Sequence, residues 1–85
     1  MPLDHFDIVT ITTSQPGQML NVTNTRQVAE LLTGNWPAHS RGKAYTMAVK
    51  ACMDHIEGKK SGEDVREAFI EAAKEARVFI REGWH

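Results

Sequence analysis

The stretch SGEDVREAFIEAAKEARVFIRE, residues 61–82, decides the fold, because whatever it forms must be covered by the rest of a short chain. Ser61 at its head is followed by Glu63 and Asp64, the pattern of an N-cap with acidic residues in the first helical turn, where negative charge favours the dipole. Val65, Ala68, Phe69, Ala72, Ala73, Ala76, Phe79 and Ile80 then recur at helical spacing along one broad face. The periodicity predicts a single helix from Ser61 to about Glu82, roughly 30 Å long at ~1.5 Å per residue.

Upstream, KAYTMAVKACMDHIEG at 43–58 carries a second apolar stripe of Tyr45, Ala48, Val49, Cys52 and Ile56, with Ser40 placed as its N-cap and Gly58 as a left-handed stop. Ala44, Ala48 and Ala51 on this helix and Ala68, Ala72 and Ala76 on the next allow close approach, so the two read as an antiparallel hairpin. Before it, Pro37 disfavours helix at Trp36 and makes GNWPAH a loop. A short helix is expected from Asn24, whose side chain can accept from the backbone of Gln27, with Val28, Leu31 and Leu32 on one face and Gly34 ending it.

At the N-terminal side, FDIVTITT and QMLNVT are rich in β-branched or alternating residues and flank the turn pair Pro16-Gly17, which predicts a β-hairpin. Two strands alone are marginal in water, so helices must cover their apolar face or another chain must extend the sheet. The expected architecture is one α+β domain over residues 1–85: an N-terminal β-hairpin, a short helix, and two longer antiparallel helices packed on the sheet.

With 85 residues, 41% of them hydrophobic and 25% charged, the chain has the balance of a soluble domain with a small core, for which self-association is a natural source of further burial. The lone Cys52 forms no intramolecular disulfide, MPLDHFD lacks a signal-peptide pattern, and no stretch is long enough for a membrane span. A cytoplasmic setting without membrane association is expected. The net charge of −1 removes any global argument for nucleic-acid binding. Between Asn35 and Lys60, however, Arg41, Lys43, Lys50, Lys59 and Lys60 outnumber Asp54 and Glu57, which leaves a local basic patch and weak support for a nucleic-acid partner.

Candidate chemistry is sparse. A phosphate-binding P-loop would need a preceding strand and Ser or Thr after Gly-Lys, whereas Gly42-Lys43 is followed by Ala44. What remains is a helix start at Ser40, Arg41, Gly42 and Lys43, where free amides beside two cations could hold an anionic group. Cys52 and His55 share a helical face, with His39 in the loop, but two ligands do not make a metal centre. Asp54 points away from Cys52, so a nucleophile with base and orienting carboxylate is not assembled. Neither cofactor, metal nor catalytic residue is assigned.

Trp36, Arg66 and Ile70 are candidates for an interface. Trp36 either plugs the core or anchors a partner, and both readings are open. Ile70 lies off the main apolar arc beside Arg66, Lys74 and Arg77, as if extending a surface that a second chain covers. Trp84, after Gly83, either docks back or stays free.

Trp36-Pro37, Gly42, Ala44-Tyr45, Ala48, Cys52, Gly58 and VREAFIEAAKEA at 65–76 together resemble the domain of unknown function 982 family, small proteins chiefly of rhizobia and related alphaproteobacteria. In place of the Ala-Arg expected before Glu67 the chain has Val65-Arg66. The resemblance implies one α+β domain in a bacterial cytoplasm and brings no catalytic residues, since the family has no established activity. It singles out Trp36, Pro37, Gly42, Tyr45, Cys52, Arg66 and Phe69, of which Arg66 alone has no packing duty evident from sequence; it could pair with Glu63, or bridge to the end of the second helix or to a partner. The expected function is a non-enzymatic interaction or regulatory module that self-associates or binds a protein partner. The second reading is capture of a nucleotide or nucleic-acid phosphate at Ser40 to Lys43.

Overall fold

The computed structural model describes residues 5–12 and 18–82. Strand β1 (His5–Thr12) pairs antiparallel with β2 (Met19–Asn24), matching Val9 with Val22 and Ile11 with Leu20 so that the β-branched and leucine side chains fall on the core face together. The turn pair Pro16-Gly17 lies outside the described residues, as does Trp84.

Helix α1 (Thr25–Glu30) starts as its sequence predicts, with Asn24 Oδ1 accepting from the Gln27 amide at 2.9 Å. Gln27 Oε1 in turn accepts from the Thr23 amide at 2.8 Å. The chain does not stop at Gly34. It widens into a π-helical turn (Leu31–Asn35) that runs through that glycine, and only Trp36 is extended, as its position before Pro37 requires. A short 3₁₀ turn (Ala38–Ser40) then leads to α2 (Lys43–Ile56), whose N-cap is Gly42 and not Ser40.

Helices α2 and α3 (Gly62–Glu75) form the expected antiparallel hairpin. A capping box starts α3: Ser61 Oγ accepts from the Asp64 amide, and Asp64 Oδ2 accepts from the Ser61 amide. Both helices end in a Schellman motif. In α2, Lys59 N–H donates to Asp54 O and Gly58 N–H to His55 O, with Gly58 at φ 81°. In α3, Val78 N–H donates to Ala73 O and Arg77 N–H to Lys74 O, with Arg77 at φ 61°.

That second stop corrects the reading of residues 61–82. The helix ends at Glu75, and Phe79–Glu82 is a third strand, β3, on the free edge of β1, giving the sheet order β2-β1-β3. Val78, Phe79 and Ile80 follow the left-handed Arg77, and their β-branched or aromatic side chains suit a strand once the helix has been broken. A register shift lies between Thr10 and Ile11, where Arg81 and Phe79 are the opposite partners.

The core sits between the sheet and the helices. Val9, Ile11 and Val22 from the strands meet Val28 and Leu32, then Ala48 and Cys52 of α2 and Val65, Phe69, Ala72 and Ala73 of α3. Ile56 of the predicted α2 stripe is exposed instead.

Candidate functional site

The N-terminus of α2 was the expected anion seat, and an internal anion sits there. Glu75, in the last turn of α3, places its carboxylate over the open amides: Gly42 and Tyr45 donate to Oε1 and Ala44 to Oε2, each at 3.2 Å. The antiparallel hairpin makes this reach available, because the C-terminal end of α3 lies beside the start of α2. A Cβ on residue 42 would stand 2.8 Å from Glu75 Oε2, so the glycine admits the carboxylate's close approach. The side chains expected to help are employed separately. Arg41 Nη2 donates to the Trp36 carbonyl at 3.3 Å and its guanidinium lies 5.4 Å from the centroid of the Tyr45 ring. Tyr45 donates its hydroxyl to Leu32 O at 2.7 Å, while Ser40 belongs to the preceding turn and Lys43 faces the α2–α3 crevice.

The three interface candidates also turn inward. Trp36 is 5% exposed, with its ring centroid 5.7 Å from that of Phe69, which resolves its two readings in favour of the core. Its Nε1 is buried and has no hydrogen-bond partner among the described residues. Ile70 is 5% exposed, not a surface extension, because β3 returns along that side of α3 and the two share a crevice with Glu82. Arg66, with a side chain 11% exposed, donates from Nε to Asp7 O at 3.1 Å, from Nη1 to Glu63 at 3.4 Å and from Nη2 to Glu82 at 3.0 Å. It fastens α3 to β1 and β3, a duty that depends on the third strand and leaves no mark in the local helical pattern.

Burial pushes the Cys52 thiol up to about 11, which disfavours the thiolate needed for nucleophilic or metal chemistry. His55 is engaged elsewhere: its Nδ1 lies 2.8 Å from Lys60 O and donates to that carbonyl, tying the end of α2 to the following loop. Among the described residues no group of three or more His, Cys, Asp or Glu side chains is placed to hold a metal ion. No helix among them is long and apolar enough to cross a membrane.

The feature that sequence reasoning passed over is a groove on the outer face of the α2–α3 pair, about 540 Å³ in volume. Ala51 and Ala68 form part of its floor, and Met47, 57% exposed, stands in it. Toward the α2 N-terminus the groove continues into a second hollow of about 310 Å³ that shares Met47, Ala68 and Glu71 and adds Ala44 and Lys43. In the half nearest the α2 N-terminus the walls differ in sign. Lys43 and Lys50 line the α2 side, and Glu67 and Glu71 the α3 side. The signal was present in the sequence as Ala44, Met47 and Ala51 at helical spacing, one step around the wheel from the Tyr45–Ala48–Cys52 stripe.

A family model described as Protein of unknown function (DUF982) matches residues 8–80. No curated protein and no solved structure matches the chain.

Proposed function

The chain belongs to the DUF982 family of proteins of unknown function, and from that premise, which assigns no reaction, we propose that it is a cytoplasmic, non-enzymatic interaction module that docks a protein on the outer α2–α3 face. One observation carries the reading: the Met47 groove, an apolar floor whose walls are of opposite sign in the half nearest the α2 N-terminus. A flexible methionine over small residues adapts to an apolar side chain, and flanking charges orient what binds. The alternative reading, a nucleotide or nucleic-acid phosphate held at Ser40, Arg41, Gly42 and Lys43, has the Glu75 carboxylate against it.

The test is a photo-crosslinking residue placed at Met47 or, as a control, at Thr33, which is exposed and outside the groove. Protein adducts formed in cells from position 47 and not from position 33 are the expected result. Equal yields, or none at either position, overturn the reading.

A further inference from the structure

We propose that the occupant of the groove is a second copy of the same chain, related by a two-fold axis that runs parallel to α2 and α3 and lays each α2 over the partner's α3. This inference rests on the docking face proposed above and adds the partner and its orientation.

The argument is charge complementarity. On the half of the groove nearest the α2 N-terminus, Lys43 and Lys50 stand on one helix and Glu67 and Glu71 on the other. Lys50 has an ion pair with Asp54 at 3.1 Å, whereas Lys43, Glu67 and Glu71 have none among the described residues. With the helix axes kept aligned, two copies can stack these faces in two symmetric ways. An axis across the helices puts α2 on α2 and α3 on α3 running in opposite directions, and when it passes at Met47 it sets lysine against lysine and glutamate against glutamate. An axis along the helices puts the lysine row of each chain over the glutamate row of the other, twice, and drives each Met47 toward the other chain's groove. Like-charge juxtaposition disfavours the first arrangement and opposite charge favours the second. At the other end of the groove Lys60 stands with Asp54 and Asp64, so the sign separation belongs to the Met47 half.

Size is consistent with a dimer of modest affinity. Each 14-residue helix is about 21 Å long at ~1.5 Å per residue, and two helices about 10 Å apart present a face roughly 20 Å on a side. That is about 400 Å² in projection, short of the ~800 Å² a standard interface takes from each partner, which keeps the affinity modest. Pairing at one sheet edge, β2, is obstructed where Gln27 Oε1 occupies the Thr23 amide.

Sedimentation equilibrium of the purified chain, with circular dichroism to check that each variant is folded, tests the proposal. The wild type is expected to pass from 9.5 kDa toward twice that mass over the micromolar to millimolar range, and to weaken several-fold on raising salt. Met47→Lys is expected to weaken association at least tenfold. Two charge variants fix the orientation: Lys43→Glu with Lys50→Glu makes both walls acidic, and Glu67→Lys with Glu71→Lys makes both basic. Each alone is expected to be monomeric, and an equimolar mixture is expected to form a heterodimer. A wild type that stays monomeric throughout overturns the proposal, as does a dimer that survives all of these changes. If the chain stays monomeric while position 47 still crosslinks to another protein in cells, the second copy is wrong and the docking face stands.

Discussion

Arg77 holds φ at 61°, a left-handed angle that burdens a residue bearing a Cβ by about 1 kcal/mol, whereas Gly58 makes the same turn at 81° without that penalty. Arg77→Gly is therefore expected to stabilise the fold by up to about 1 kcal/mol in urea titration, and Gly58→Ala to destabilise it by a similar amount. This pair also explains what could be read in advance. The stop of α2 was legible because a glycine marks it, and that of α3 was not, because an arginine does the same work and helical spacing continues formally through Phe79 and Ile80. Cys52 gives a prediction in alkali. Its folded thiol titrates at about 11 in place of 9.0, so the fold favours the neutral form. Any stability this contributes is fully present below pH 9 and is lost as pH rises toward 11, a loss expected to vanish in Cys52→Ala when melting is followed against pH.

At the scale of elements, the closing of α2 by Glu75 makes one helix's last turn the cap of another's first. Glu75→Ala should lower stability by about 1 kcal/mol, as loss of an N-cap does, and should bare the amides of Gly42, Ala44 and Tyr45. Titrating inorganic phosphate against amide NMR signals then separates the two readings of this helix start: shifts at these amides are expected only in the variant, and shifts of equal size in the wild type would favour the anion site. The capping box of α3 adds a pH signature. The Ser61 hydrogen bonds, backbone first, hold the Asp64 carboxyl below its usual value, so its stabilising effect is present above the unfolded carboxyl's range and is lost as pH falls through the folded one. Ser61→Ala, which removes the side-chain hydrogen bond and keeps the backbone one, is expected to move the Asp64 titration only part of the way back up. Strand β3 was the illegible element, and its omission misplaced two side chains at once. Ile70 is displaced and Arg66 idle only on a continuous helix; the strand covers the first and pairs with the second. Arg66→Met is accordingly expected to speed hydrogen exchange at Phe79–Glu82 before it affects α2.

For the molecule as a whole, the hairpin, the caps at Asn24 and Ser61 and the antiparallel helices followed from local pattern, since each is settled by residues close in sequence. The third strand and the groove did not, because both depend on which faces meet after the chain has turned. If the two-fold docking holds, the thermal midpoint should rise with protein concentration, and Met47→Lys should flatten that dependence. The sheet order has a consequence for the nascent chain. β1 precedes the other described elements, yet its second neighbour is the last of them, with Val9 paired to Glu82. Closure of that loop is entropically slow, while the α2–α3 hairpin needs only local contacts. A ribosome that has just finished α3 therefore holds a chain whose central strand still has a bare edge and whose Ile70 is still uncovered. The few residues of β3 are therefore expected to pair late, and a truncated product lacking them is expected to be the species that aggregates or recruits a chaperone.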